Sequence, residues 1–195
     1  MQHEKNKYLI YNIAVIGMMA AMVFVATNLR IPIPTALGKT MIHFGNVFCL
    51  LAGLTLGGLR GGLAAGIGSM FFDLVDPAFI SSAPWTLVFK FIMGYLCGKL
   101  STTKDNTPAT LGKMIPAAAV GAITYVILYI SKSVITDYFL MRNPWETVFA
   151  ASLQKGIVST FNAIVAVVVS VSLAPVFRKA MQTSGIYSKL YPSQK

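Results

Sequence analysis

Three lysines lie inside the apolar segments of this 195-residue chain, where a basic side chain is unusual. They are Lys90, Lys132 and Lys155, and Lys155 lies near the start of a long apolar run from Thr147 to Val176. A charged side chain in membrane hydrocarbon costs about 2.5–3.5 kcal/mol at a helix centre, even on lenient insertion scales. Such residues usually face a cavity, a partner or a ligand path, so these lysines indicate where the function lies.

Each lysine shares one helix face with other residues that form hydrogen bonds, because they are spaced four or seven residues apart. The three faces comprise Thr86, Lys90 and Cys97; Tyr125, Tyr129 and Lys132; and Lys155, Ser159 and Asn162. We expect them to meet at one depth, in the outer half of a membrane, and to form a substrate-binding cavity open to the outside. The alternative is that each lysine extends to the outer headgroups, which is easiest for Lys132 and hardest for Lys155.

Further side chains are expected to complete this substrate-binding site. His43 ends the first outer loop and is placed to line a pocket, and Asp73 lies near the outer end of the third predicted helix. Asp73 is also a candidate to neutralise Lys155 in a structural ion pair, and the sequence leaves both interpretations open. The lysines favour a ligand with an anionic or strongly hydrogen-bond-accepting group. A flat ring is favoured by the aromatic side chains, which are Trp85, Tyr125, Tyr129 and Trp145.

The composition is that of a membrane protein. Hydrophobic residues make up 55% of the chain and charged residues only 11%, compared with about 25% charged residues in soluble domains. The apolar stretches are long enough to span a bilayer, which takes about 20 residues per helix. We therefore predict an all-α integral membrane protein, a single domain over residues 1–195, with six transmembrane helices. Their predicted ranges are 8–28, 44–58, 61–80, 84–101, 112–136 and 147–177.

The net charge of +10 is explained by membrane topology and does not indicate a nucleic-acid partner. With a cytoplasmic N-terminus, ten basic residues lie on the inner side and three on the outer side, as the positive-inside rule requires. The inner residues are Lys5, Lys7, Arg60, Lys99, Lys104, Lys113, Arg178, Lys179, Lys189 and Lys195, and the outer residues are Arg30, Lys39 and Arg142. We predict a multi-pass protein of the cell membrane with both termini cytoplasmic.

Two segments are predicted to serve contacts outside the helix bundle. The outer loop from Arg30 to His43 contains two prolines and a glycine, so it cannot continue the first helix, and long structured loops often act as lids. On the first helix, Ala14, Gly17 and Ala21 form one face of small residues. Such faces allow close helix contact in lipid, either in packing within the chain or in docking onto another membrane protein.

The sequence gives no sign of an enzyme, a metal site or a cofactor site. Gly38-Lys39-Thr40 imitates the end of a phosphate-binding loop, but Ile33 stands where that loop requires its first glycine. Neither a Ser/His/Asp set nor a pair of acids at useful spacing is present, and Cys49 and Cys97 are expected to be buried free thiols. The remaining alternatives are a binding subunit of a primary transporter and a free-standing secondary transporter, channel or membrane enzyme.

Several motifs resemble those of one transporter family. They are Ile31-Pro-Ile-Pro, Asn46, the glycine-rich run from Leu50 to Ser69, Asp73, and Ala83-Pro-Trp-Thr-Leu-Val-Phe-Lys90. They are similar to the substrate-binding S component of energy-coupling factor (ECF) vitamin transporters, in the riboflavin-type branch that also includes proteins for pyridoxine and hydroxymethylpyrimidine. On this resemblance Asn46 joins the candidate substrate-binding residues.

The resemblance implies a prokaryotic, six-helix S-component bundle that binds a vitamin near the outer face, with the first loop as a lid. Such a protein has no ATPase of its own and docks on a membrane T subunit that carries two ATPase subunits. The docking motif of the family is a small-xxx-small pair of alanines on helix one. Gly17 and Ala21 match its spacing, with a glycine in place of the first alanine. We predict a high-affinity vitamin-binding subunit of an importer; the alternative is a free-standing secondary transporter or channel for a small polar or anionic solute.

Overall fold

The computed structural model describes residues 2–102 and 110–190, and these ranges contain seven α-helices where the sequence predicts six. The helices are α1 (Gln2–Asn28), α2 (Gly45–Leu56), α3 (Gly58–Val75), α4 (Ala83–Ser101), α5 (Leu111–Val134), α6 (Trp145–Thr183) and α7 (Ile186–Leu190). A 3-10 turn at Ile80–Ser82 precedes α4, and a π-helical segment at Ile135–Leu140 continues α5. Of the basic residues counted for topology, Lys104, Lys195 and the Lys5 side chain lie outside what the structure describes.

The fold is not purely helical, because the predicted outer loop forms a β-hairpin. Strand β1 (Arg30–Pro34) pairs with β2 (Lys39–His43) in antiparallel register, with Arg30 opposite His43 and Pro34 opposite Lys39. Gly38 has a φ of 84°, a left-handed conformation that suits glycine at the turn. Both prolines lie in the two-stranded hairpin, where every strand is an edge strand and a missing amide donor is tolerated.

Four helical segments of the described chain are long and apolar enough to cross a membrane. They are Asn6–Asn28, Ile80–Ser101, Leu111–Leu140 and Trp145–Thr183. At about 1.5 Å per residue, the 12 residues of α2 are too short to cross a hydrocarbon core of about 30 Å alone. Helix α3 has 18 residues but is rich in glycine, which lowers its hydropathy. Multi-pass membrane insertion is therefore supported, and the count of six spans stays a prediction.

Helix α2 is the centre of the bundle, and nearly all of its side chains are buried. Leu50, Leu51 and Leu54 pack into the main hydrophobic core together with Met93 of α4 and Ala166 of α6. Because α1, α3, α4, α5 and α6 all contact α2, its polar backbone ends are shielded by protein. This placement explains how so short a helix fits within a membrane bundle.

The glycines of α3 allow its backbone to approach its neighbours, as the small-residue spacing predicts. A Cβ atom at Gly61 would lie 2.7 Å from the Ala52 carbonyl oxygen, and one at Gly66 would lie 2.7 Å from that of Leu87. Both distances are too short for a real Cβ, so larger residues at these positions would separate the helices. Helix α3 is thereby held directly between α2 and α4.

The C-terminal part of the chain differs most from the prediction. Helix α6 continues six residues beyond the predicted end at 177, and α7 packs back against α1. The buried Arg178 guanidinium donates to the Leu54 carbonyl oxygen, which lets a charged residue continue an otherwise apolar helix. Arg60 donates to both the Tyr8 hydroxyl and the Leu190 carbonyl oxygen. These contacts form the terminal end of the bundle, which lies opposite the hairpin.

Candidate functional site

A cavity of about 200 Å³ lies at the hairpin end of the bundle. Its walls come from the ends of α1–α5 nearest the hairpin, from the first half of α6, and from the hairpin itself. Nine of the ten predicted substrate-binding residues line it. They are His43, Asn46, Asp73, Lys90, Tyr125, Tyr129, Lys132, Lys155 and Asn162. The structure therefore brings the three lysines together at one cavity, whereas Cys97 from the predicted face of Lys90 lies in the hydrophobic core. Ligand binding by the cavity residues stays a prediction.

Trp85 is the exception, because the structure places it away from this cavity. Its side chain is 53% exposed on the outside of the bundle, with its ring 5.9 Å from that of Phe89. Thr86 and Lys90 face the cavity, and one helical step of 100° turns the preceding residue away from it. Trp145 is also outside, 52% exposed and edge-on to Tyr138. The aromatic lining instead comes from Tyr125, Tyr129 and two residues that the sequence did not single out, Phe72 and Phe79.

Lys90 is held at the base of the cavity by two contacts. Its ammonium group donates to the Asn46 side-chain oxygen and lies 3.6 Å from the centroid of the Tyr125 ring. A cation over an aromatic face is attracted by the ring quadrupole, most strongly when water is excluded. Because Lys90 is only 3% exposed, snorkelling to headgroups is not its role in this structure.

Lys155 forms a buried ion pair, but with a different acid from the one that the sequence suggested. Its Nζ lies 3.1 Å from Asp137 Oδ2 and 2.7 Å from Ser133 Oγ, and Ser133 Oγ donates to the same carboxylate at 3.0 Å. Asp73 is therefore not its partner. Asp137 was missed because the predicted fifth helix ends at 136, whereas the π-helical segment carries the chain on and turns Asp137 inward. The four-residue spacing of Ser133 and Asp137 was the available signal.

Lys132 is half-buried and has a different environment. Its Nζ lies 3.1 Å from Ser82 Oγ, in the 3-10 turn before α4. Among the described residues, no carboxylate lies within 4.0 Å of this ammonium group. Asp73, which is 5% exposed, lines the same cavity beside Thr86.

The hairpin covers the cavity and is attached to α6 by three hydrogen bonds. The Asn162 amide donates to the Met41 carbonyl oxygen at 2.8 Å and accepts from the His43 backbone N–H at 3.3 Å. The Ala36 N–H donates to the Gln154 side-chain oxygen at 3.0 Å. Asn162 thus binds the hairpin and also lines the cavity. The contact of Gln154 with the hairpin was not predicted from the sequence.

The other edge of the hairpin is attached near the end of α3. The Arg30 guanidinium forms an ion pair with Asp76 and lies 4.7 Å from the centroid of the Phe72 ring. Hydrogen bonds from the Ala78 N–H and from Arg30 lower the pKa of the Asp76 carboxyl, although its partial desolvation acts in the opposite direction. The hairpin is therefore held at both edges over the cavity.

His43 is a neutral residue of the cavity wall. Burial, together with the positive charges of Lys90 and Arg30, lowers its pKa to about 3. Its Nδ1 accepts a hydrogen bond from the Gly45 N–H at 3.1 Å, at the start of α2. The side chain therefore contributes a neutral polar group and no positive charge at physiological pH.

The predicted docking residues Ala14, Gly17 and Ala21 all lie on the outer surface of α1. A Cβ at Gly17 would meet no atom of the described residues within 4 Å, so this face does not pack against them. It borders an apolar groove of about 430 Å³ that Phe71 and Val75 of α3 also line. Of the two interpretations of the small-residue face, the described residues therefore do not support internal packing, and docking stays a prediction.

Comparison with known proteins agrees with these features. Residues 7–179 match the family model described as ECF-type riboflavin transporter, S component. The chain is also 33% identical over 102 residues to a protein of Pyrococcus woesei, described as an uncharacterized protein in the gap 3' region. That similarity covers 52% of this chain and 64% of the relative, less than two thirds of its length. Because the family model covers most of the sequence, the chain belongs to the S component family of ECF-type riboflavin transporters, a family of membrane vitamin-uptake subunits and not of enzymes.

Proposed function

We propose that this chain is the high-affinity substrate-binding subunit of an ECF-type importer and that the cavity under the hairpin is its substrate site. The single observation that carries the proposal is the convergence of three lysines from three helices on one covered cavity. Charged residues at such depth are costly unless they are paired or serve a ligand. The substrate class is a water-soluble vitamin or related cofactor precursor, in the range of pyridoxine, hydroxymethylpyrimidine and riboflavin.

The size of the cavity favours the small members of that class. Pockets for drug-sized ligands are about 300–1,000 Å³. A cavity of about 200 Å³ is smaller, and it favours a compound with one ring over the three fused rings of riboflavin. Opening of the hairpin would admit the ligand, and its closure would bury it.

The proposed orientation places the cavity at the outer face and both termini in the cytoplasm. It is supported by the excess of basic residues at the terminal end, which includes Arg60, Arg178 and Lys189. Helices α1–α6 are the six proposed membrane helices, with α2 shielded at the centre. The short α7 would then lie on the cytoplasmic side, against the start of α1.

Import requires partners, because the family to which the chain belongs supplies binding and not ATP hydrolysis. We propose docking of the α1 face on a membrane T subunit that carries two ATPase subunits. The exposed small residues and the groove beside them support this surface. It is separate from the substrate site, since none of Ala14, Gly17 and Ala21 lines the cavity.

Co-purification and uptake test the proposal together. The tagged chain is expressed with and without the T subunit and ATPases of its own organism, and cells are assayed for vitamin uptake. We expect a stable complex, and uptake only when an ATPase with an intact active site is present. Uptake by the chain alone would instead favour a free-standing secondary transporter. A variant such as Val168→Leu, at a 60% exposed position of α6, controls for expression and insertion.

A further inference from the structure

We propose that the substrate is a one-ring compound with an anionic group, a carboxylate or phosphate, and that Lys132 binds this group. The inference rests on the proposed function, because it takes the covered cavity as the substrate site. Within the class of water-soluble vitamins and cofactor precursors, it favours acidic or phosphorylated members over pyridoxine, hydroxymethylpyrimidine and riboflavin, which have no such group.

The buried side chains at the cavity carry more positive than negative charge. Four lysines line the cavity. Lys39 of the hairpin is exposed, and the three lysines of the helices, Lys90, Lys132 and Lys155, stand against two carboxylates, Asp73 and Asp137. The Lys155–Asp137 pair is internally compensated, which leaves two ammonium groups and one carboxylate. An uncompensated charge in a covered, low-dielectric cavity is unfavourable. A bound anion supplies the missing negative charge, whereas a neutral ligand displaces water and leaves the excess positive charge uncompensated.

The hydrogen bonds show which lysine is available to the ligand. An ammonium group has three donors. Lys90 uses Asn46 and the Tyr125 ring face, and Lys155 uses Ser133 and Asp137. Lys132 has one contact in the described structure, with the neutral hydroxyl of Ser82. Its ammonium group therefore has N–H donors available in the cavity, and its half-buried side chain can turn toward a ligand.

The ring belongs beside the tyrosines of the same helix. The Tyr125 and Tyr129 rings lie 5.9 Å apart and 16° from parallel, and both line the cavity. Tyr129 precedes Lys132 by three residues on α5, so a ring against the tyrosines places its substituent near the ammonium group. The cavity of about 200 Å³ is smaller than the pockets of about 300–1,000 Å³ that hold drug-sized ligands. That space suits one substituted ring.

Competitive retention tests the inference before the substrate has been identified. The full chain, purified in detergent, is incubated with an equimolar mixture of one-ring vitamins and precursors that contains matched acidic and neutral forms. The pairs are pyridine-3-carboxylate with its amide, 4-pyridoxate with pyridoxine, and hydroxymethylpyrimidine phosphate with hydroxymethylpyrimidine. Mass spectrometry after repurification identifies what is retained. We expect an acid or a phosphate ester, and which of them is retained distinguishes the two anionic groups. Retention of a neutral compound, or of none, would overturn the inference.

Substitution of Lys132 locates the anionic group. With the retained anion, Lys132→Met should lower affinity by about 10- to 100-fold, as expected for loss of a charged hydrogen bond, and Lys132→Arg should retain most of it. Lys113→Met, at an exposed position near the start of the same helix, is the matched control. Equal affinity of Lys132→Met and wild type would also overturn the assignment. If the retained compound is neutral while the chain still assembles with its T subunit and ATPases, the proposed function stands and this inference fails.

Discussion

The buried pair of Lys155 and Asp137 makes a quantitative prediction about stability. Both residues are 7% exposed, and the pair is completed by Ser133. Lys155→Met would leave the Asp137 carboxylate buried with only the Ser133 hydroxyl as a described side-chain partner. Breaking a buried pair by removing one partner costs about 3–5 kcal/mol. For a chain of this size that corresponds to a fall in Tm of about 6–20 °C.

A double variant of Lys155 and Asp137 distinguishes the cost of an unpaired buried charge from the cost of lost packing. Replacement of a whole buried pair by apolar residues of similar volume is often neutral or stabilising. We therefore expect Lys155→Met with Asp137→Leu to recover most of the stability that Lys155→Met alone loses. Lys132→Met is the matched control, because Lys132 has no carboxylate within 4.0 Å in the described structure, and its cost should be below about 1 kcal/mol.

Thermal and denaturant unfolding in detergent, without ligand, measures the stability of wild type, Lys155→Met, the double variant and Lys132→Met. Equal effects of Lys155→Met and Lys132→Met would refute a buried, uncompensated Asp137 carboxylate, and so would a double variant that is no more stable than Lys155→Met. Ligand affinity, measured on the same samples, then reports separately whether Lys155 also contacts the substrate.

Three further predictions concern the hairpin, pH and docking. Asn162→Leu removes two hydrogen bonds between the hairpin and α6, so hydrogen exchange over 30–43 should be faster than in wild type. Added ligand should slow this exchange less in the variant than in wild type. Equal protection of both proteins would contradict a lid attached through Asn162. The pKa of His43 is lowered from 6.5 to about 3, so below pH 6.5 the unfolded state binds a proton that the native state does not. The free energy of unfolding should therefore fall as the pH drops below 6.5, by about 2 kcal/mol at pH 5. Thermal unfolding of wild type and His43→Gln at pH 7.5 and 5 measures this, and parallel losses would count against His43 as the cause. Gly17→Leu and Ala21→Leu should abolish co-purification with the T subunit while ligand affinity stays near wild type; normal assembly of both variants would show that α1 is not the docking face.

Much of the lining of the candidate cavity could be predicted from sequence because helical periodicity acts over short distances. The four- and seven-residue spacings around Lys90, Lys132 and Lys155 were enough to place them on inward faces. Burial cost then indicated that those faces meet in a cavity. Trp85 shows the limit of reasoning by residue type, because its aromatic character suggested ring binding whereas its helix phase points it outward.

The missed features depend on backbone geometry or on distant contacts. Asp137 faces inward because of a π-helical segment, and hydrophobic periodicity assumes a regular α-helix. The hairpin depends on cross-strand hydrogen bonds within a segment that two prolines marked as irregular. Arg178 lies in a helix beyond the apolar run because the Leu54 carbonyl oxygen, 124 residues away in sequence, accepts its hydrogen bonds. The hairpin pairing and the Arg178 contact have no local sequence signal, whereas Asp137 had one in its four-residue spacing from Ser133.

The central claim is that the covered cavity is the substrate site of a transport subunit. Isothermal titration of the purified chain with the compound that it retains through purification tests this most directly, when wild type, Lys90→Met and Lys113→Met are compared. Lys90 is 3% exposed at the base of the cavity, and Lys113 is exposed away from it. We predict tight binding by wild type and Lys113→Met, and affinity lower by about 10- to 100-fold for Lys90→Met. Equal affinities for all three proteins, with Lys90→Met folded as judged by its thermal unfolding, would contradict the account.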